Sequence, residues 1–312
     1  RTLILNVAEQ TNIRPDILEK DYYVTLLLEE LANKQEDLPA YFKGGTALYK
    51  ALGGIRRFSE DIDLTVSIDG CSNSQAKTRL ENAAKRFSSL PRNKNDAEND
   101  NRKGSITSIF NYTSVVDIDV NDSLQRFGRV KIEATSFTVS APMAPIKIAP
   151  IIYDKATEEQ RQILISTYDT GSFIIQTMMM ERIFVDKIFA AEFYYIRKDY
   201  FDVAKHLYDV TVLLQDKRIQ AMIVDIVALR KMIDYKRREE KVRLGSGLAE
   251  KSIKDFSYLK KAIDDDEFIK VFDRMQEIYV FDSKDIIKIA ELTVVIEKLK
   301  SVAELEMIPE QN

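Results

Sequence analysis

The sequence predicts a mixed α/β fold followed by an all-helical region. In the first half of the 312-residue chain, glycine turns separate short apolar runs of the kind that form strands. From about Phe173 to the end, apolar residues recur at helical spacing. With 45% apolar residues, the chain can bury a sizeable core. We therefore expect two domains, a core over 1–170 that includes N-terminal helices and a helical domain over 171–312.

The first half is expected to open with helices and then alternate strands and helices. Residues 3–36 look helical, and Pro15 suits a first helical turn. The segment from Tyr41 to Val66 is predicted as strand, glycine turn, helix, Gly53-Gly54 stop and strand. The other predicted elements are a helix over 74–90, a mobile polar loop over 91–105, strands over 105–112, 115–120 and 129–135, and an extended proline-containing segment over 137–152.

The second half is expected to be helical throughout. A stripe of apolar residues between Ile183 and Tyr194 predicts its first helix. Further helices are predicted over 200–215, 217–242, 266–280 and 284–305.

Composition excludes several classes of protein. Charged residues make up 31% of the chain and nearly balance, with a net charge of −4, so a nucleic-acid site must be a local basic patch. Cys71 is the only cysteine, which excludes an intramolecular disulfide and a cysteine-based zinc site. No apolar run approaches the roughly 20 residues that span a bilayer. We expect a cytoplasmic protein without a membrane partner.

An Asp-x-Asp pair is the clearest sign of chemistry. Asp61 and Asp63 stand two apart on a predicted strand, so both carboxylates face the same side while Ile62 faces the core. Carboxylates placed in this way bind divalent metal ions such as Mg²⁺ or Mn²⁺. Taken alone, the pair is more typical of the solvated face of a strand, but a glycine turn and a short helix precede it. In that order, these parts are typical of an enzyme that transfers a nucleotidyl group.

The glycine turn supplies candidate phosphate-binding groups. Gly44, Gly45 and Thr46 begin a predicted helix, where N–H groups without helical acceptors bind anions. An ordinary helix start with Thr46 as its N-cap is the simpler interpretation, and both can hold together. Ser59, two residues before Asp61, is a further candidate for donating to a phosphate.

A third metal-binding carboxylate has two candidate locations. Glu133 follows a predicted turn and has Lys131 on the same strand face. Asp117 and Asp119 form a second Asp-Ile-Asp, but no glycine turn precedes them. We favour Glu133.

A lysine in the first predicted helix of the second half is a further candidate site residue. Lys187 lies in an apolar helical segment, from which its ammonium can reach a phosphate. Asp202, expected on the following helix, is a candidate partner for Lys187 or for substrate. Asp199 and Asp209 compete with it, and a plain helix–helix salt bridge is at least as good an explanation.

A basic run marks a candidate RNA-binding surface. The segment from Arg230 to Arg243 contains seven basic and three acidic residues. Such a run is more often simply a solvated helix face, although its cations could also bind an RNA backbone. The candidate RNA contacts are Lys236, Arg237, Arg238, Lys241 and Arg243.

Together these segments resemble the AbiEii/AbiGii nucleotidyltransferase toxins, a family related to the MenT toxins. The resemblance lies in Gly44-Gly45-Thr46-Ala-Leu, in Arg57-Phe-Ser-Glu-Asp-Ile-Asp63, in the Lys187 helix and in Arg197 to Asp202. A segment ahead of the core, Leu18-Glu-Lys-Asp-Tyr22, also looks like one that these proteins carry.

The resemblance implies a fold, an activity and a set of roles. The fold would be a DNA-polymerase-β-like nucleotidyltransferase core with helical additions. The protein would be the toxin of a bacterial toxin–antitoxin or phage-defence pair, with an antitoxin encoded beside it. It would use a nucleoside triphosphate with Mg²⁺ or Mn²⁺ and modify RNA, above all the 3′ end of tRNA. By motif, Gly45 and Thr46 would hold triphosphate, Asp61 and Asp63 metal, Lys187 phosphate, and Asp202 would be the essential acidic residue.

Two other functions fit the sequence. Nucleotidyl transfer to a protein or a small molecule needs the same motif, although it would not need the basic run. A GTP-binding module without catalysis would have little use for the Asp61 and Asp63 pair.

Overall fold

A computed structural model describes residues 1–52, 56–118, 126–137, 140–242, 247–280 and 282–306. The chain divides into two compact units, of which the first comprises Arg1–Ile55 with Ser59–Met178 and the second Arg56–Phe58 with Met179–Asn312. The domain limits expected from sequence, 1–170 and 171–312, stay a prediction.

The first unit is built on a seven-stranded mixed sheet. Its strands are β1 (Ala40–Lys43), β2 (Ile62–Val66), β3 (Asp100–Arg102), β4 (Ser105–Asn111), β5 (Arg129–Thr135), β6 (Met143–Ile148) and β7 (Phe173–Met178). They lie in the order β3-β4-β5-β2-β1-β7-β6. The β2–β5 and β1–β7 pairs are parallel and the other neighbours antiparallel. The predicted mixed α/β class is confirmed.

Six helices accompany this sheet in the described part of the first unit. They are α1 (Thr2–Thr11), α2 (Pro15–Ala32), α3 (Gly44–Leu52), α4 (Asn73–Lys85), α5 (Ile151–Lys155) and α6 (Glu158–Tyr168). Pro15 takes the first position of α2, where a missing N–H costs nothing. Ser72 and Gln75 form a capping box that starts α4, and Thr157 and Gln160 form another that starts α6.

Alternation along β5 separates the core from the opposite face of the sheet. Val130, Ile132 and Ala134 are fully buried. The residues between them, including Lys131 and Glu133, point to the other face because side chains alternate along a strand. The central position of β5, between β4 and β2, fixes its backbone by ladders on both sides.

The second unit is helical in its described part. Its helices are α7 (Met180–Tyr195), α8 (Tyr200–Leu213), α9 (Lys217–Val224), α10 (Ile226–Val242), α11 (Ser257–Lys261), α12 (Asp266–Tyr279) and α13 (Ile289–Glu306). Phe184 and Phe189 of α7 are fully buried. Phe58, also buried, donates its N–H to the carbonyl of Tyr279 at 2.7 Å, which shows how residues 56–58 join this unit.

Several element predictions are wrong. Phe173–Met178 is a strand, β7, rather than the start of the helical region, and Asp100–Arg102 forms β3 within the predicted loop. Residues 115–118 form no strand, and the predicted 217–242 helix is two helices, because it breaks at Asp225. The Gly53-Gly54 stop and residues 119–120 lie outside the described residues.

The proline-containing segment agrees only in part with its prediction. Met143–Ile148 is extended, as expected, whereas Ile151 and Ile152 begin the helix α5, and residues 138–139 lie outside the described residues. Pro145 lies in β6, an edge strand, where a residue without an N–H does not interrupt a ladder on the open side. Among the described residues, no helix is long and apolar enough to cross a membrane.

Candidate functional site

Carboxylates from two neighbouring strands line one face of the first unit's sheet. Asp61 directly precedes β2, and Asp63 lies within it. In the parallel pairing of β2 with β5, Asp63 is the register partner of Glu133. The same row continues to Lys43 on β1. Partners in register share a face, so Asp63 and Glu133 project from the same side of the sheet.

Lys131 occupies this face together with the carboxylates. Its Nζ lies 2.8 Å from Oδ2 of Asp61, and both side chains are about one-third exposed. Burial alone would lower the pKa of Lys131, but Asp61, Asp63 and Glu98 raise it above the ordinary value. Lys131 is therefore a firmly protonated counter-ion of Asp61.

Gly44 is required by the position of Asp63. Its φ of +84° belongs to the left-handed region that glycine adopts without strain. A Cβ at Gly44 would lie 2.1 Å from Oδ2 of Asp63, which leaves no room for any other residue. The first turn of α3 and the carboxylate of Asp63 are thus in close contact.

The two hydroxyls predicted to bind phosphate contact each other. Thr46 is buried and donates its hydroxyl hydrogen to Oγ of Ser59 at 2.9 Å. Because α3 begins at Gly44, Thr46 lies inside the first turn, and the interpretation of Thr46 as N-cap is wrong. Ser59, which is half-buried, is the more accessible hydroxyl, and Thr46 orients it.

The two candidate locations for a third carboxylate differ in placement. Glu133 lies beside Asp63 on β5, whereas Asp117 is exposed in a segment without regular structure. Asp119 lies outside the described residues. The N–H of Val115 donates to Glu19 at 2.7 Å, so this segment is bound to α2 and forms no ladder.

The side chains on this face carry oxygen ligands of the kind that a hard divalent metal ion binds. Carboxylate oxygens from Asp61, Asp63 and Glu133 face one side of adjacent strands, and oxygen is the ligand that Mg²⁺ prefers. Asp61 already holds a cation, the Lys131 ammonium. Within the described ranges, no three acidic, histidine or cysteine side chains converge closely enough to form a ready-made metal group.

Lys20 is a buried lysine that sequence reasoning did not single out as a site residue. It is 1% exposed, and its Nζ donates to the carbonyls of Arg126, at 2.8 Å, and Arg129. Burial lowers its pKa to about 8, although Glu60 and Asp61 act in the opposite direction. Lys20 thereby fixes the turn from which β5 starts.

In the second unit, Lys187 has a different partner from the one predicted. Its Nζ lies 2.9 Å from Oδ2 of Asp209, which is fully buried. Arg57 also binds Asp209, through two bonds of 2.7 Å. Asp202 instead pairs with Lys205 at 2.8 Å, with a side chain one-third exposed. As a partner of Lys187, Asp202 is therefore the wrong choice, and its competitor Asp209 takes that place, whereas the alternative role of Asp202 in contacting substrate stays a prediction.

The basic run does not form one RNA-binding surface. Lys236 is buried, with Nζ 2.7 Å from Glu239 and 2.8 Å from Glu240, so its prediction as an RNA contact is wrong. Arg237 is half-buried and donates to the carbonyls of Ala249 and Lys251.

Of the predicted RNA contacts that the structure describes, Arg238 and Lys241 remain at the surface. Arg238 is exposed and stacks on the Tyr235 ring at 4.6 Å, and Lys241 is exposed with Glu250 at 3.3 Å. Both line an open groove of about 620 Å³. Arg243 lies outside the described residues.

The first unit thus combines a glycine-started helix, an Asp-x-Asp pair and an in-register glutamate. This set can hold a triphosphate and the ions that neutralise it. A family model described as nucleotidyl transferase AbiEii toxin, type IV TA system, matches residues 26–290. No curated protein matches the chain significantly. Because the family match covers most of the sequence and includes both motifs, the chain belongs to the AbiEii family of nucleotidyl transferase toxins of type IV toxin–antitoxin systems.

Proposed function

We propose that this nucleotidyltransferase uses divalent metal, Mg²⁺ or Mn²⁺, to transfer a nucleoside monophosphate from a nucleoside triphosphate to RNA, with the tRNA 3′ end as acceptor. The register pairing of Asp63 with Glu133, beside the Asp61 carboxylate, carries the proposal. A pure binding module has no need of this arrangement, and family membership makes the chain an enzyme.

The proposed reaction is a substitution at the α-phosphorus. The RNA 3′-hydroxyl gives its proton to water as its oxygen forms a bond to the α-phosphorus, the bond from the α-phosphorus to the bridging oxygen breaks, and pyrophosphate leaves with the electron pair. Asp61, Asp63 and Glu133 would hold the metal, which supplies charge neutralisation at the entering and leaving oxygens. Nucleotidyl transfer needs these carboxylates ionised.

The glycine turn is proposed to hold the triphosphate. N–H groups in the first turn of α3, from Gly44 and Gly45, attract phosphate oxygens through the helix dipole. Ser59 donates its hydroxyl hydrogen to the phosphate, since its oxygen already accepts from Thr46. Thr46 acts through Ser59 rather than by direct contact.

Lys187 keeps its proposed role as a phosphate ligand, with a new orienting residue. The predicted orienting role of Asp202 passes to Asp209, because Asp209 is the carboxylate that binds the Lys187 ammonium. Asp209 also binds Arg57, which lies four residues before Asp61 in the sequence motif.

For the acceptor, we propose the groove beside α10 as an RNA contact. Arg238 and Lys241 are exposed there, and Arg238 presents a flat guanidinium on an aromatic ring. Such groups bind phosphates and stack on unpaired bases. A small-molecule acceptor would not need them.

The family implies an antitoxin. We propose that a neighbouring gene encodes it, that the pair acts in phage defence, and that the toxin works in the cytoplasm, where triphosphates and tRNA are available.

Incubation with total bacterial RNA, Mg²⁺ and each α-³²P-labelled triphosphate tests the acceptor. We expect a labelled band of tRNA size with one nucleotide. Label in a protein band, or in a small-molecule fraction, would contradict RNA as the acceptor and support the other classes. Asp69→Asn, an exposed aspartate after β2, is the matched control for Asp63→Asn.

A further inference from the structure

Asp61 forms an ion pair with a side chain of the protein, the ammonium of Lys131. Lys131 Nζ lies 2.8 Å from Asp61 Oδ2. Three carboxylates, those of Asp61, Asp63 and Glu133, project from this face of the β2–β5 pair. Like charges at this spacing repel one another, so a cation among them lowers the energy of the face.

The backbone beneath this ion pair is fixed. β5 is paired with β4 on one side and with β2 on the other, and β2 is paired with β1 and β5. Lys131 therefore cannot leave Asp61 by moving its strand. Its flexible four-carbon side chain can move, and both partners are about one-third exposed, so solvent ions have access.

Two other cations of the first unit, Arg129 and Lys20, are bound to acceptors of their own, and Lys43 lies in register with Asp63 on β1. Arg129 lies 2.8 Å from Glu98 and 3.4 Å from Asp96. Lys20 donates to two backbone carbonyls. Among the ion pairs of the described residues, Lys131 is the cation in contact with Asp61.

We propose that Lys131 is a built-in placeholder for the divalent metal, and that its ammonium must leave Asp61 when the metal site fills. The inference rests on the proposed metal site at Asp61 and Asp63. Lys131 competes for Asp61, so it lowers the affinity of the free enzyme for metal. Once released, its ammonium is available to substrate phosphate on the same face.

Mn²⁺ binding to the nucleotide-free protein, followed by electron paramagnetic resonance, tests the competition. Lys131→Met should bind Mn²⁺ at least about tenfold more tightly than wild type, because a unit positive charge a few ångströms away is removed. Lys131→Arg, which keeps the charge, should bind as wild type does. Unchanged or weaker binding by Lys131→Met would overturn the proposal.

A matched control isolates the effect of position from that of net charge. Lys147 is exposed on β6, three strands from β2 in the sheet order, or roughly 14 Å at ordinary strand spacing. At 0.15 M salt that separation exceeds the Debye length of about 8 Å. Lys147→Met should bind Mn²⁺ as wild type does, and an equal gain in both variants would overturn the proposal.

Asp61→Asn separates this inference from the proposed function. If Asp61→Asn loses Mn²⁺ binding but Lys131→Met does not bind Mn²⁺ more tightly, the proposed metal site is supported and the placeholder role of Lys131 is refuted. Unchanged binding in Asp61→Asn would refute the metal site itself.

Wild-type protein provides a second measurement that no folding defect can affect. Amine-reactive labelling read by mass spectrometry should show faster modification of Lys131 when Mn²⁺ is added, with Lys147 as the internal reference. A Lys131 labelling rate that does not change with Mn²⁺ would also overturn the proposal.

Discussion

Gly44 combines a left-handed backbone conformation with close contact to the carboxylate of Asp63. Alanine there suffers the left-handed φ, which costs roughly 1–2 kcal/mol, and also places a Cβ against Asp63. Gly70 has a comparable φ of +71°, but nothing lies within 4 Å of its Cβ position. We predict that Gly44→Ala loses nucleotidyl transfer, whereas Gly70→Ala loses only about 1–2 kcal/mol of stability.

Transfer rates and urea unfolding of the two alanine variants check this prediction. Equal transfer rates in both variants would contradict the prediction, because they would show that the contact between Gly44 and Asp63 does not affect nucleotidyl transfer.

Asp209 binds two buried cations in the second unit, Arg57 and Lys187. Asp209→Asn removes the carboxylate charge that binds the buried cations of Arg57 and Lys187, which costs about 3–5 kcal/mol. Asp202→Asn removes one partner of a partly exposed pair and should cost under about 1 kcal/mol. Urea denaturation of both variants measures the difference, and similar costs would contradict the assignment.

Sequence alone could not choose between these two aspartates. Asp202 and Asp209 are seven residues apart on α8, which is close to two helical turns, so both lie on one helix face. The choice depends on the packing of α7 against α8. By contrast, the sequence is enough to predict that Asp61 and Asp63 share one face of the sheet, because side chains alternate along a strand.

At the scale of elements, α2 connects three parts of the first unit through consecutive buried charges. Glu19 accepts from Val115, Lys20 donates to the turn before β5, and Asp21 pairs with Lys50 of α3 at 2.5 Å. These residues form the Leu18-Glu-Lys-Asp-Tyr22 segment. Its role is therefore to position the elements that carry the site.

The lowered pKa of Lys20 gives a pH dependence. Between about pH 8 and its unperturbed 10.5, the unfolded chain binds this proton and the folded chain does not, so stability rises with pH. We predict that wild type gains up to about 3 kcal/mol relative to Lys20→Met across this window. A neutral amine still has two N–H donors for the Arg126 and Arg129 carbonyls.

Urea unfolding of wild type and Lys20→Met at a series of pH values from 7 to about 10 tests this sign. A difference between the two proteins that stays constant with pH would mean that Lys20 titrates normally in the folded state.

The missed strands have a physical explanation at the same scale. Phe173–Met178 is a short apolar run, and only Met179 separates it from α7. Such a run fits a buried strand or a helix equally well until its pairing partners, β1 and β6, are known. β3 has three polar residues and depends entirely on its pairing with β4.

For the whole molecule, the net charge of −4 makes RNA affinity depend on local cations. We predict that the double variant Arg238→Ala with Lys241→Ala binds tRNA more weakly and has a shallower salt dependence, by about 1.4 in the log–log slope. Lys260→Ala with Lys261→Ala removes the same charge from α11 as a control. Filter binding at several salt concentrations gives both slopes, and equal slopes would refute the groove.

The basic run also shows the limit of charge counting for the whole chain. Its seven cations look alike in sequence, yet Lys236 is bound by Glu239 and Glu240 on the buried face of α10, while Arg238 lies at the surface. The face that a helix buries depends on its neighbours, which a charge pattern does not specify.

We propose above that the carboxylate face of the first unit, formed by Asp61, Asp63 and Glu133, catalyses nucleotidyl transfer to RNA. The most direct measurement compares α-³²P with γ-³²P label of the preferred triphosphate, in wild type, Asp63→Asn and Asp69→Asn. We predict tRNA-sized label from the α-position only, abolished by Asp63→Asn and kept by Asp69→Asn. Label from the γ-position, or transfer that survives Asp63→Asn, would contradict it.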